Sequence, residues 1–285
     1  CHATTWQEGS AGFDLIQWGK WLKDDIGFTG GWRFDYAKGV DANFIDKFCK
    51  ETDDSFGVIE YWDSLELIND YVSRIENIYA FDFPLYYTLV DVFNNDESIS
   101  KLINPKHSYV AKNSKYAVTF VANHDTDKDE FVPSINQYPL LAYAFILTYE
   151  GYPCIFWKDY FENGLDKLGG KKGNGINYLV AARELLAGGE PKIKTCLVSD
   201  DVLAYEAKGD SVNEPGYLVV INNGVRSKLL KMEISNQFFC SKNLSAYAWY
   251  SYSSSKKPAD IFCDEERLVS IKVPSKSYIV YSLKQ

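Results

Sequence analysis

Three short apolar runs of this chain each end in an acidic residue, and these acids have the types and spacing that chemistry requires. The runs are Gly31–Asp35, Gly57–Glu60 and Phe120–Asp125. A βα barrel presents reactive carboxylates at the carboxyl ends of successive strands, because its βα loops form the active face. Arg33 and His124 lie within two positions of Asp35 and Asp125 in the sequence. The pattern predicts glycoside chemistry, which needs one carboxylate as nucleophile, a second as proton donor, and flat aromatic faces for sugar rings.

The spacing within the first run places two of its polar side chains together. Arg33 and Asp35 are two positions apart on a strand, so their side chains point to the same side. A guanidinium beside a carboxylate favours the charged form that a nucleophile requires. The acid that assists the leaving oxygen must carry a proton, so it needs an environment that raises its pKa. In a retaining enzyme the two carboxyl groups should lie roughly 5–5.5 Å apart.

Composition limits the classes of partner. The chain has 285 residues, of which 46% are hydrophobic, and its formal net charge is −9. This charge argues against nucleic acid or an anionic membrane as the main partner, and no apolar run approaches the ~20 residues that span a bilayer. The aromatic content is high, and most of the rings are expected in the core.

Strand-like and helical segments alternate five times in the first two thirds of the chain, which predicts a parallel sheet with helices. From about Thr195 only strands follow, which predicts an antiparallel β-sandwich. We therefore predict a partial catalytic barrel over residues 1–190 and a C-terminal β-sandwich domain over residues 191–285. The predicted helices are 13–24, 41–52, 64–76, 85–93, 136–149 and 174–187, and the predicted strands are 31–35, 56–60, 78–83, 116–121, 153–157, 202–207, 217–221, 229–234, 246–252, 268–273 and 278–283.

Several stretches resemble the conserved motifs of α-amylases, in glycoside hydrolase family 13. They are Gly31–Gly39, Glu60–Asp63, Phe81–Tyr87, Phe120–Asp127 and Leu147–Phe156. They are most similar to the archaeal-type and plant-type branches of that family. The resemblance runs from the first residue to about position 188 and then into the family's C-terminal β domain. It implies strands four to eight of a (β/α)8 TIM barrel, with strands one to three expected before this segment.

The resemblance also implies catalytic roles. Asp35, after the fourth barrel strand, matches the nucleophile, and Glu60, after the fifth, matches the acid/base. Asp125, after the seventh, matches the acid that grips sugar hydroxyls and stabilises the distorted transition state. Arg33 matches the arginine that keeps the nucleophile ionised, and His124 matches a histidine that hydrogen-bonds the sugar.

Two more residues are candidates for substrate binding. Lys38 matches a lysine on the leaving-group side of the cleaved bond. Trp62 is expected either to stack on a sugar or to pack in the core. Asp63 is expected to cap the helix that follows it.

A metal site is implied by the family rather than by the residues. The resemblance implies calcium for the full-length protein, with the backbone carbonyl of Gly39 as one ligand. Cys1 and His2 resemble a segment near metal ligands in archaeal-type members. The family's first conserved stretch, which supplies a calcium-binding asparagine, has no match here, so we expect the site to be incomplete. No signal-peptide pattern follows Cys1, and secretion is expected of the parent protein.

The expected activity is retaining endo-hydrolysis of α-1,4-glucosidic bonds in starch, glycogen and related glucans. The expected partner is therefore an α-glucan polysaccharide or oligosaccharide. One alternative is another family 13 specificity, such as a maltodextrin hydrolase or a transglycosylase. Another is an inactive or non-catalytic carbohydrate-binding fragment. Oligomeric state and a Cys240–Cys263 disulfide remain open at this stage.

Overall fold

Five short parallel strands form the sheet that carries the candidate acids. The structure, a computed structural model, describes residues 7–52, 56–128, 132–170 and 175–284. The strands pair in chain order, so β1 and β5 lie at the two edges of this sheet. The predicted number of parallel strands is confirmed. They are β1 (Trp32–Phe34), β2 (Gly57–Ile59), β3 (Ile78–Phe81), β4 (Ala117–Phe120) and β5 (Tyr152–Cys154).

Helices lie between these strands, as in other parallel sheets, and also before the first strand and after the last one. They are α1 (Ala11–Asp24), α2 (Ala42–Thr52), α3 (Leu65–Val72), α4 (Phe83–Asn94), α5 (Tyr109–Asn113), α6 (Pro139–Thr148) and α7 (Gly175–Ala187). One predicted cap is wrong. The side chain of Ser64, not that of Asp63, accepts the N–H at the start of α3, while Asp63 instead accepts the N–H of Ser64.

The last part of the chain forms antiparallel strands, as expected. They are β6 (Ile193–Val198), β7 (Val202–Lys208), β8 (Gly216–Asn222), β9 (Lys228–Glu233), β10 (Lys242–Ser251), β11 (Ile261–Cys263), β12 (Leu268–Val273) and β13 (Ser277–Leu283). Six of them form a sheet in the order β11-β10-β13-β8-β7-β6, and β9 pairs with β12. The sequence did not predict β6 and β11. Cys240 and Cys263 carry free thiols in this structure.

The central strands of the six-stranded sheet, β13, β8 and β7, are buried on both faces. Along β7, Leu203 and Tyr205 belong to the hydrophobic cluster that contains α6 and α7. The alternate residues, Val202 and Ala204, pack with the two-stranded sheet of β9 and β12. This is the period-2 alternation of a strand with two covered faces. One hydrophobic core therefore joins the helices to the C-terminal sheet.

The change from helices to antiparallel strands falls between Ala187, the end of α7, and Ile193, the start of β6. The domain boundary at residues 190 and 191 stays a prediction. Within the described ranges, no helix combines the length and the apolar character that crossing a membrane would need.

Candidate active site

Two of the predicted acids follow neighbouring strands and lie at the same edge of the sheet. Asp35 comes directly after β1 and Glu60 directly after β2, whose last residues, Phe34 and Ile59, are paired in register. The backbone ladder continues past the strands, since Glu60 donates its N–H to the Phe34 carbonyl at 2.9 Å and accepts from the Ala37 N–H at 2.9 Å. Regular pairing therefore fixes the relative position of the two acids.

Arg33 contacts both carboxyl groups. Its Nη1 lies 2.5 Å from Asp35 Oδ1, and its Nη2 lies 3.2 Å from Glu60 Oε2. The environments of the two acids differ, because the Asp35 side chain is 75% exposed and the Glu60 side chain is 10% exposed. The predicted orientation of Arg33 and Asp35 to one side agrees with this contact.

The charge state of Asp35 follows from these contacts. The hydrogen bond from Arg33 holds the pKa of Asp35 below its ordinary value, and a hydrogen bond with the Glu60 carboxyl and the positive charge of Arg33 act in the same direction. These contacts favour the ionised form of Asp35, which a nucleophile requires.

Tyr36 is a site residue that the sequence reasoning missed. Its backbone is left-handed, with φ 45° and ψ 47°, and its N–H donates to Glu60 Oε2 at 3.0 Å. Such a conformation is uncommon for a non-glycine residue. The partner is 24 positions away in the chain, so no local signal in the sequence could have revealed this contact.

The loop after β4 brings the third acid to the same edge. Asn123 Oδ1 accepts the N–H of Asp125 at 2.9 Å and that of Thr126 at 3.0 Å, and Thr126 Oγ1 accepts the N–H of Asn123 at 2.9 Å. His124 Nε2 lies 3.3 Å from Asp125 Oδ2. These turn contacts fix the loop, and Asn123 is a second residue that the sequence reasoning did not single out.

A cleft of about 200 Å³ joins these elements. Arg33, Glu60, Asn123 and His124 line it, and the remaining lining residues come from the ends of β3, β4 and β5 and the residues that follow β4 and β5. His124 also acts on Asp35, because its charge contributes to the lowered pKa of that carboxyl group. The structure thus gathers residues from all five parallel strands, or from directly after them, around one space.

Lys38 follows β1 and Trp62 follows β2, and these two residues contact each other. Lys38 Nζ donates to the Trp62 carbonyl at 3.2 Å and lies 3.7 Å from Asp63 Oδ2. The Trp62 ring stacks on Phe83 with centroids 4.7 Å apart and an interplanar angle of 15°, and its Nε1 donates to Tyr87 OH at 2.7 Å. One face of this indole is therefore occupied by protein.

A larger cavity lies at the other end of the sheet and contains none of the predicted catalytic residues. It measures about 740 Å³ and is lined by residues such as Tyr79, Lys115 and Tyr152, at or just before the starts of β3, β4 and β5. The amino ends of barrel strands serve stability, whereas the carboxyl ends carry catalysis. The smaller cleft, which lies at the carboxyl ends of the strands, is therefore the candidate site.

Gly39 is the residue whose backbone carbonyl the family resemblance assigns to calcium, and this assignment stays a prediction. Gly39 lies in a short 3-10 turn and donates its N–H to the Tyr36 carbonyl at 2.9 Å. Across the residues that the structure describes, no group of three or more His, Cys, Asp or Glu side chains could hold a metal ion. Cys1 and His2 lie outside the described residues.

Two carboxyl groups with opposite surroundings are what a two-step displacement at a glycosidic carbon requires. Asp35 is exposed and held ionised, and Glu60 is screened from water and held by Arg33 and by the Tyr36 N–H.

Comparison with solved structures supports this fold. The α-amylase of Geobacillus thermoleovorans, crystallised with acarbose, superimposes with a TM-score of 0.71 at 18% sequence identity, over 99% of this chain and 65% of that one. At this level of identity the comparison shows the fold: a partial barrel of the amylase type with a C-terminal antiparallel domain.

Curated proteins with similar sequences are also named as amylases or related enzymes. A glucan 1,4-α-maltohexaosidase of Bacillus sp. (strain 707) is 26% identical over 250 residues, which are 83% of this chain and 46% of the relative. An α-amylase of Bacillus licheniformis is 30% identical over 209 residues, which are 69% of this chain and 37% of the relative. No family model matches the chain. The chain spans less than half the length of these two relatives, whose names support an amylase-like enzyme.

Proposed function

We propose that the protein containing this chain is a retaining endo-hydrolase of α-1,4-glucosidic bonds in starch, glycogen and related glucans. The observation that carries this proposal is the bridging position of Arg33, 2.5 Å from Asp35 Oδ1 and 3.2 Å from Glu60 Oε2. It supports an ionised Asp35 with a second carboxyl group beside it at the same edge of a parallel sheet. Retaining glycosidases use such a pair.

In the proposed reaction, Asp35 attacks the anomeric carbon and forms a glycosyl ester, while Glu60 gives its proton to the departing glycosidic oxygen. Glu60 then takes a proton from water, and the resulting hydroxide displaces Asp35, which restores both groups. Asp125 and His124 are proposed to bind hydroxyls of the sugar at the cleaved bond. Arg33 favours the ionised form of Asp35 in the free enzyme.

The substrate class rests on the relatives. One of them is named for hydrolysis of 1,4-α-glucan, and a neighbour in fold binds acarbose. The quoted motifs further suggest the archaeal-type and plant-type branches of the family. Calcium binding, secretion and the roles of Lys38 and Trp62 stay predictions of the family resemblance.

The test replaces the two acids with their amides. Asp35→Asn and Glu60→Gln are close to isosteric, so folding should survive, and each should remove nearly all starch hydrolysis. Asp91→Asn, on the exposed side of α4, is the matched control and should keep full activity. A tenfold loss corresponds to about 1.4 kcal/mol, and either site variant that keeps more than a tenth of the rate would contradict the assignment. Chromatography of the products separates endo-hydrolysis from trimming and transglycosylation.

A further inference from the structure

Two neighbouring aromatic side chains beside the cleft are largely exposed. Trp157 is 68% exposed and Phe161 is 49% exposed. Their ring centroids are 4.2 Å apart with an interplanar angle of 42°. Scattered exposed apolar residues are ordinary, but adjacent ones that form a patch mark a site of interaction.

The position of this pair relates it to the candidate site. Ile155 and Phe156, which line the cleft, directly precede Trp157 in the chain. They follow β5, so the pair lies at the same edge of the sheet as Asp35 and Glu60. A glucan chain that fills the cleft and continues past β5 would meet these rings.

Polar contacts on both sides of Trp157 hold the segment in place. Lys158 Nζ lies 2.5 Å from Asp127 Oδ2, which ties the segment to the loop that carries Asp125. Asp159 is buried and accepts from Tyr143 OH at 2.7 Å. Tyr143 OH in turn accepts the N–H of Phe156 at 3.3 Å. The exposure of the rings is therefore a feature of an anchored segment.

We propose that Trp157 and Phe161 form a stacking subsite for α-glucan oligosaccharides, adjoining the cleft on the β5 side. The subsite rests on the proposed function, because it extends the same glucan-binding cleft. A pyranose ring offers a face of C–H groups, and a flat aromatic ring covers that face with large apolar area at low conformational cost. The ion pair between Lys158 and Asp127 makes these two residues positioning groups for the subsite.

The experiment measures glucan binding in a background that does not turn over. The protein used is the Glu60→Gln form of the longest natural polypeptide that contains residues 1–285. Calorimetry measures its affinity for maltoheptaose. Native gels that contain soluble starch measure how strongly starch retards its migration. Trp157→Ala should weaken binding about tenfold, as truncation of an aromatic anchor does. Trp157→Phe keeps a flat ring and should restore most of the affinity.

Two further variants make the result specific. Phe161→Ala should weaken binding in the same direction as Trp157→Ala. Trp18→Ala is the control, since Trp18 is 52% exposed on α1, outside the segment that follows β5. It should bind as the Glu60→Gln parent does, and circular dichroism verifies that each variant is folded.

The possible outcomes separate the subsite from the function it extends. If the parent binds maltoheptaose and Trp157→Ala and Phe161→Ala bind it equally well, the subsite is overturned and the proposed function stands. If Trp157→Phe loses as much affinity as Trp157→Ala, ring stacking is overturned as the cause. If the parent binds neither maltoheptaose nor starch, the proposed function fails and the subsite with it.

Discussion

The backbone N–H of Tyr36 donates a hydrogen bond to Oε2 of Glu60 at 3.0 Å, and it does so from a left-handed backbone conformation. For a residue with a Cβ, this conformation costs about 1–2 kcal/mol. The strain therefore lies at the point where the proposed acid/base is fixed. Strained backbone of this kind often occurs at active sites, where the surrounding structure maintains it.

Substitution at Tyr36 tests this strain. Tyr36→Gly has no Cβ, so it should hold the same conformation and keep its free energy of unfolding within about 1 kcal/mol of the parent. Tyr36→Val should unfold more easily than Tyr36→Gly by about 1 kcal/mol or more, because β-branched residues are outliers at positive φ. Urea unfolding measures both values. Equal stabilities of the two variants would show that the backbone at this position is not strained.

Removal of the Arg33 guanidinium should move the acid limb of the pH–activity profile. Arg33 lowers the pKa of Asp35, and the proposed nucleophile acts ionised. In Arg33→Met the pKa of Asp35 should rise, so activity should be lost at a higher pH as the solution is acidified. The dependence of kcat/KM on pH reports this shift for the free enzyme.

The control for this prediction is Arg74→Met, because Arg74 forms an exposed ion pair with Asp70, four residues away on α3. Its acid limb should coincide with that of the parent. An unchanged acid limb in Arg33→Met, with measurable activity left, would contradict the role assigned to Arg33.

Much of the parallel sheet could be predicted from the sequence, because the patterns that indicate its strands are local. Each parallel strand is an apolar run, and β1 and β2 are followed directly by Asp35 and Glu60, as the sequence predicted. Two strands escaped prediction for physical reasons. β6 lies at the edge of the sheet and has exposed polar positions, so its hydrophobic pattern is weak. β11 has three residues, too few for any alternation to be recognised.

Only part of the candidate site could be predicted from the sequence. The acids and Arg33 stood out by type and spacing, whereas the contacts that orient them are long-range or belong to the backbone. Tyr36 is recognised only once Glu60 is in place. Trp157 lies within the predicted strand 153–157, whereas β5 ends at Cys154 and the Trp157 ring is largely exposed. The exposure of Trp157 and Phe161 is a property of the folded chain.

Asp82 is another residue whose environment the sequence did not reveal. Its carboxylate is fully buried and accepts three backbone N–H groups, from Leu85 at 2.9 Å, Tyr109 at 3.0 Å and Val110 at 2.7 Å. It therefore holds the starts of both α4 and α5. Burial raises its pKa to about 6, although the three N–H donors oppose this shift.

The raised pKa of Asp82 determines the direction in which the free energy of unfolding changes with pH. The native form takes up the proton at about pH 6, whereas the carboxyl of the unfolded chain has its ordinary value of 3.8. The native state therefore binds more protons between these values, and its free energy of unfolding should fall as pH rises from about 4 to about 6. A shift of about two units corresponds to about 3 kcal/mol.

Asp82→Asn removes this titration and serves as the comparison. The difference in free energy of unfolding between parent and variant should change by about 3 kcal/mol between pH 4 and pH 7, in favour of the parent at pH 4. Denaturant titrations at both pH values measure it, with Asp91→Asn on the same helix as the control. A pH-independent difference would mean that Asp82 titrates at the same pH in both states.

The shared core predicts how the C-terminal strands behave alone. Leu203, Tyr205, Tyr217, Val219 and Tyr278 are buried against the helical side, with exposures of 0%. Burial of each such side chain contributes about 1.5–3 kcal/mol, so five of them together contribute about 10 kcal/mol, comparable with the net stability of a domain.

Expressed alone, residues 191–285 should therefore bind a hydrophobic dye and unfold without a sharp transition. Residues 132–285, which include α6 and α7, are the matched comparison and should bind less dye and unfold more cooperatively, because these helices cover the exposed face. Dye fluorescence and thermal circular dichroism measure both fragments. A sharp unfolding transition without dye binding for residues 191–285 would mean that the face toward the helices contributes little to the stability of the sheet.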